Sequence, residues 1–78
     1  MKSYKFYFSP QCFIPDAKRL EHLLLLEYPN INAKLLIPID EKLPYLFIKT
    51  SIIDIESIVK NMAAAIHLEI KMIICPPN

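Results

Sequence analysis

The sequence predicts one α/β domain in two layers, a single sheet with helices packed on it. Three observations carry that reading. The apolar spacing switches between the two-residue period of a strand and the 3.6-residue period of a helix, in the order β-α-β-β-α-β. Proline and asparagine stand where the period changes, at Pro10, Pro15, Pro29, Asn30 and Pro44. The length, 78 residues, admits one domain spanning 1–78 and no more.

Each element has a local reason. Residues 4–8, "YKFYF", are aromatic with one interposed lysine and read as a strand. Pro10 keeps Ser9 out of helix, so 9–14 is a loop. Pro15 suits a first helical turn and Asp16 favours the positive end of its dipole, so a helix runs from there to Tyr28. Ala17, Leu20, Leu23, Leu24 and Glu27 share one side, which is mostly apolar. Leu25 and Leu26 fall outside that stripe, either wedged under another element or docked on a partner. "YPNIN" stops the helix. "AKLLIPI", 33–39, is near-continuously apolar, as expected of a strand lying parallel beside the first. "DEK" is a loop, and "LPYLFIKT", 43–50, is a third strand. "SIIDIESIVKNMAAAIH" is a helix capped by Ser51 or Asp54, with Ile55, Ile58, Val59, Met62 and Ile66 toward the core. From Ile66 to Ile74 apolar residues alternate with His67, Glu69 and Lys71, which is a strand period. Residues 69–78 also read as an extended C-terminal tail. Two architectures have this order: a reduced thioredoxin-like sandwich, β-α-β-β-α(-β), and the ferredoxin-like βαββαβ.

Composition narrows the function classes. Hydrophobic residues make up 54% of the chain, which a domain this small cannot hide internally. A subunit that buries part of its surface against neighbours is expected. The net charge of +1 lacks the clear basic excess of most nucleic-acid binders. No glycine occurs, which excludes the P-loop and the dinucleotide fingerprint and leaves Asn30, Asn32 or Asn61 to supply any positive φ. No signal peptide and no membrane span are visible, so an intracellular protein with reduced thiols is expected.

Cys12 is the candidate nucleophile, since a thiol at a helix N-terminus gains thiolate character. Pro15 stands where a second cysteine would be needed, and a lone cysteine without a base is more simply a loop thiol. Pairing with Cys75 requires the tail to fold back. His22 and His67 lack metal-ligand spacing, and Asp40–Glu41 and Asp54–Glu56 read as solvated or capping acids. Lys2, Lys5, Lys18 and Arg19 form a candidate phosphate-facing patch. Tyr4, Phe6 and Phe8 alternate on one strand face and read as core rather than as base-stacking platforms.

The segment "KFYFSPQCFIPDAKRLEHLLLLEYPNINAKLLIP" resembles the thioredoxin-like domain shared by a mitochondrial large-ribosomal-subunit protein and a complex I accessory subunit. Arg19 matches the helix arginine, "YPN" the turn, "LPYLFIKT" the proline-introduced strand, and "DIESIVKNMAAAIHLEIKMIICPP" the ribosomal member in particular. The glycines of the family's first loop are absent, as is one strand of its C-terminal hairpin, and the charge is lower. The resemblance implies a non-enzymatic structural protein of the mitochondrial large ribosomal subunit, located in the matrix. It would hold no cofactor, metal or small-molecule substrate. It would dock on neighbouring proteins through Leu25, Leu26, Ile73, Pro76 and Pro77 and meet rRNA through Lys2, Lys5, Lys18 and Arg19. The alternatives are the complex I subunit, a monothiol glutaredoxin-like oxidoreductase using Cys12, and a small ferredoxin-fold binding or viral regulatory protein; the alternative location is the cytoplasm.

Overall fold

The computed structural model describes residues 2–39 and 43–75. The elements are β1 (Lys2–Phe8), α1 (Ile14–Glu27), β2 (Asn32–Leu36), β3 (Tyr45–Thr50), α2 (Ile55–Ala65) and β4 (Ile70–Ile74). They form the expected two-layer α/β sandwich, a four-stranded sheet with both helices on one face.

The strand order is β2-β3-β1-β4, and every neighbouring pair is antiparallel. This corrects the expectation that β2 lies parallel beside β1. β3 separates them, and β1 likewise separates β3 from β4, so two β-α-β units interleave. That is the split arrangement of the ferredoxin-like alternative, not the neighbouring parallel pair of a thioredoxin-like sheet. The physical reason lies in the faces of the two strands. β3 carries Leu46 and Ile48 to the core and Tyr45 and Phe47 to the other side, apolar on both faces as a central strand requires. β2 begins at Asn32 and ends at Leu36, so its second face carries Asn32 and Lys34, which suits an edge. At that edge the Glu21 carboxylate of α1 accepts the N–H of Leu35.

The core sits between sheet and helices. Tyr4, Phe6 and Phe8 of β1 meet Leu46 and Ile48 of β3, Leu35 of β2, Ala17, Leu20 and Leu24 of α1, and Ile55, Val59 and Ala63 of α2. The aromatic strand is therefore core on its even-numbered side, as expected. α1 starts with Pro15 and Asp16 in its first turn and closes where the Tyr28 N–H reaches the Leu24 carbonyl, 2.8 Å away. α2 starts at Ile55, with Asp54, one of the two expected caps, at the N-cap but without a side-chain bond, and Thr50 Oγ1 accepts the Ile52 N–H in the approach to it.

The end of α2 differs from expectation in one residue. His67, and not Asn30, Asn32 or Asn61, takes a positive φ, at 57°. The His67 N–H bonds to the Ala64 carbonyl and the Leu68 N–H to that of Ala63, at 3.1 and 2.9 Å. These two bonds make a Schellman motif, whose left-handed position falls on His67. The chain then enters β4, which pairs with β1 and is sheet rather than free tail over 70–74. A register shift at Tyr7/Phe8 leaves Lys71 unmatched, so the simple alternation breaks: Ile70 and Ile73 pack against the core while Met72 and Ile74 lie on the opposite face.

Candidate nucleic-acid interface

The helices cover only one side of the sheet. Strand alternation sends the odd-numbered residues of β1 and β3 to the other side, together with the even-numbered residues of β2. Register arranges them in three rows running across the strands. The first is Asn32, Lys49 and Ser3. The second is Lys34, Phe47, Lys5 and Ile74, and the third is Leu36, Tyr45, Tyr7 and Met72.

Three aromatic rings stand at the centre of this face. Tyr7 and Tyr45 are directly opposed, with ring centroids 5.1 Å apart and planes tilted by 39°. The Lys5 ammonium lies 5.4 Å from the Tyr45 ring centroid, within cation–π range. Phe47 is flanked in its row by Lys5 on one side and Lys34 on the other. The three rings are half-buried, so part of each surface stays open. None of the eleven positions is acidic. The described carboxylates, Asp16, Glu21, Glu27, Asp54, Glu56 and Glu69, lie on the helices and in loops. Among the described residues of the strands, the only charges on the open face are therefore lysines.

The expected basic patch divides. Lys5 belongs to the open face. Lys2 sits exposed at the start of β1, beside Tyr4 and Thr50. Lys18 and Arg19 are exposed on α1, in the layer behind the sheet. The four do not converge, because α1 packs on the face opposite Lys5. Of the expected docking residues, Leu26 is 65% exposed and Leu25 lines a groove at the β2 edge. Ile73 is partly buried, packed against the core. Pro76 and Pro77 lie outside the described residues, as do Asp40 and Glu41.

The loop around Cys12 does not build a thiolate site. The thiol is half-buried beside Asp16 and His67. Burial raises its pKa above the ordinary thiol value, and the negative charge of Asp16 adds to the rise. This overturns the expectation of a lowered pKa at the helix start. Cys12 and Cys75 are both free. Among the described residues no three His, Cys, Asp or Glu side chains are placed to hold a metal ion, and no helix is long and apolar enough to cross a membrane.

Tyr7, Tyr45, Phe47, Lys34 and Lys49 were not singled out by sequence reasoning. The signal was present in "YLFIKT", where Tyr45, Phe47 and Lys49 alternate against Leu46, Ile48 and Thr50. Two apolar faces on one strand read as deep burial until the topology shows that one face has no cover. Compared with protein-family models, curated proteins and solved structures, the chain matches none.

Proposed function

We propose that this chain is a non-catalytic module that binds single-stranded nucleic acid on its open sheet face. The observation that carries this is the open sheet face on which Tyr7, Tyr45 and Phe47 stand among Lys5, Lys34 and Lys49, with no acidic side chain among its described strand residues. Bases stack on exposed rings whatever their sequence, and lysines follow the phosphates. A duplex hides its base faces and gains only the lysines. The raised pKa of Cys12 speaks against the thiol-exchange alternative, which needs a thiolate.

The test is fluorescence anisotropy of the full chain with labelled RNA and DNA dodecamers, single- and double-stranded, across a salt series. Single strands bind more tightly than duplexes. Three lysine–phosphate contacts give a slope of about −2 in log K against log salt. Lys34→Gln together with Lys49→Gln flattens the slope, and Phe47→Ala weakens binding about 5- to 150-fold at every salt. Equal affinity for duplex and single strand, or no binding at low salt, overturns the reading. The RNA and DNA arms identify which of the two is preferred.

A structural role in the mitochondrial large ribosomal subunit, implied by the resemblance, is one setting for such a module. Its thioredoxin-like part loses support because β1 and β2 are not neighbours. Sedimentation of a native extract decides: co-migration with ribosomal particles supports that setting, and a free chain at the top of the gradient removes it.

A further inference from the structure

The sheet ends in two outer strands, β2 and β4, and they are unlike. β2 is guarded: the Glu21 carboxylate takes its Leu35 N–H, and Asn32 and Lys34 stand on its open face. None of the side-chain hydrogen bonds among the described residues reaches β4. Its open face carries Met72 and Ile74, 46% and 38% exposed, beside Tyr7 and Lys5 of β1. On its other face Ile73 lines a groove of about 500 Å³ between β4 and α2. Glu56 and Lys60, both exposed and one helical turn apart, stand on the α2 wall of that groove. An outward row of backbone donors and acceptors flanked by apolar side chains is a template for one more strand.

We infer that β4 pairs antiparallel with β4 of a second copy about a two-fold axis at Ile73, joining two sheets into one of eight strands. Residues opposed across an antiparallel ladder share a face of the sheet. The bulge at Lys71 leaves β4 one register in which it matches itself. Centred on Lys71 or Met72, the pairing sets an open-face residue, Met72 or Ile74, against Ile70 of the helix face. A centre at either end of the strand leaves most of it unpaired. Centred on Ile73, it sets Met72 against Ile74 of the second copy, Ile74 against its Met72, and Ile73 against its Ile73. All three matches are apolar and like-faced, and the two Lys71 fall at opposite ends of the ladder. Charge chooses the same occupant. The axis turns the two α2 helices antiparallel, which brings Glu56 of one toward Lys60 of the other, twice over. An acid and a base one turn apart complement a copy of themselves only when that copy runs the opposite way.

Sedimentation of the full chain, from low micromolar to near-millimolar concentration, shows monomer passing to dimer and no larger species. Met72→Lys together with Ile74→Lys, both at exposed positions, holds the chain monomeric throughout, with the circular dichroism of the fold retained. Glu56→Lys and Lys60→Glu each weaken the dimer about tenfold, because each sets like charges against each other twice. Mixed in equal amounts, these two variants pair again at close to the wild-type strength, since each supplies the charges the other lacks. A wild-type chain that stays monomeric, growth beyond the dimer, or a dimer that survives the paired lysines overturns the inference, and each leaves the nucleic-acid reading standing. If the paired lysines unfold the chain, the mixing experiment decides: recovery on mixing upholds the two-fold pairing, and no recovery overturns it.

Discussion

Phe6 and Phe47 are the same residue type on adjacent strands, and their environments are opposite. Phe6 is fully buried in the core, while Phe47 is half-open between two lysines. Phe6→Ala removes core contacts and leaves a cavity, costing about 3–5 kcal/mol. That approaches the whole stability of a domain this size, so thermal or urea unfolding shows the variant largely unfolded. Phe47→Ala leaves the unfolding midpoint nearly in place and acts on nucleic-acid binding. Cys12 gives a pH prediction at the same scale. Its folded pKa is raised, so the protonated thiol favours the fold. That contribution is complete below the ordinary thiol range and is lost as pH rises through the folded value. Urea midpoints therefore fall on the alkaline side, Cys12→Ala removes that part of the fall, and Cys12 alkylates more slowly at neutral pH than a model thiol. Which aromatics were core was legible in "YKFYF", because period-two alternation fixes a face. Which face lay open was not, because "YLFIKT" is apolar on both.

The helices and strands were legible as elements, and their ends less so. Pro15, Asp16 and Pro29 marked α1 correctly, since each acts on its own turn of backbone. The end of α2 escaped, because the Schellman bonds depend on where the chain goes next. His67 sits in a conformation that glycine adopts without steric cost, in a chain that has no glycine. His67→Gly is expected to stabilise the domain by about 0.5–1 kcal/mol, and His67→Val to destabilise it. Chemical denaturation of the two variants measures both. β4 was seen as a strand, but its alternation was read straight through residue 71. The register shift against Tyr7 and Phe8 reverses it there, moving Ile73 inward and Met72 outward. A shift of that kind depends on the partner strand, so the β4 residues alone do not reveal it.

At the scale of the molecule, element order was readable and strand order was not, since local periodicity does not specify which strands become neighbours. The apolar surplus was read as a docking surface. Among the described residues the exposed large apolar side chains are Phe13 before α1, Leu25 and Leu26 on it, Ile37 and Ile39 after β2, Ile53 before α2, and Met72 and Ile74 on the open face of β4. The open sheet face thus holds part of that surplus. Leu20→Ala, at the buried centre of α1, costs about 2–5 kcal/mol and tests how much of the fold rests on that helix. If the sheet governs binding, Lys18→Gln with Arg19→Gln leaves oligonucleotide affinity within about twofold of the wild type, because those charges lie in the other layer. One further property follows from Glu21, whose carboxylate occupies an outward amide of β2, while none of the side-chain hydrogen bonds among the described residues reaches β4. A sheet with two open margins can add copies without limit. Removing the Glu21 carboxylate frees that amide at the β2 margin, so Glu21→Ala is expected to associate edge to edge more readily than the parent chain, as light scattering would show.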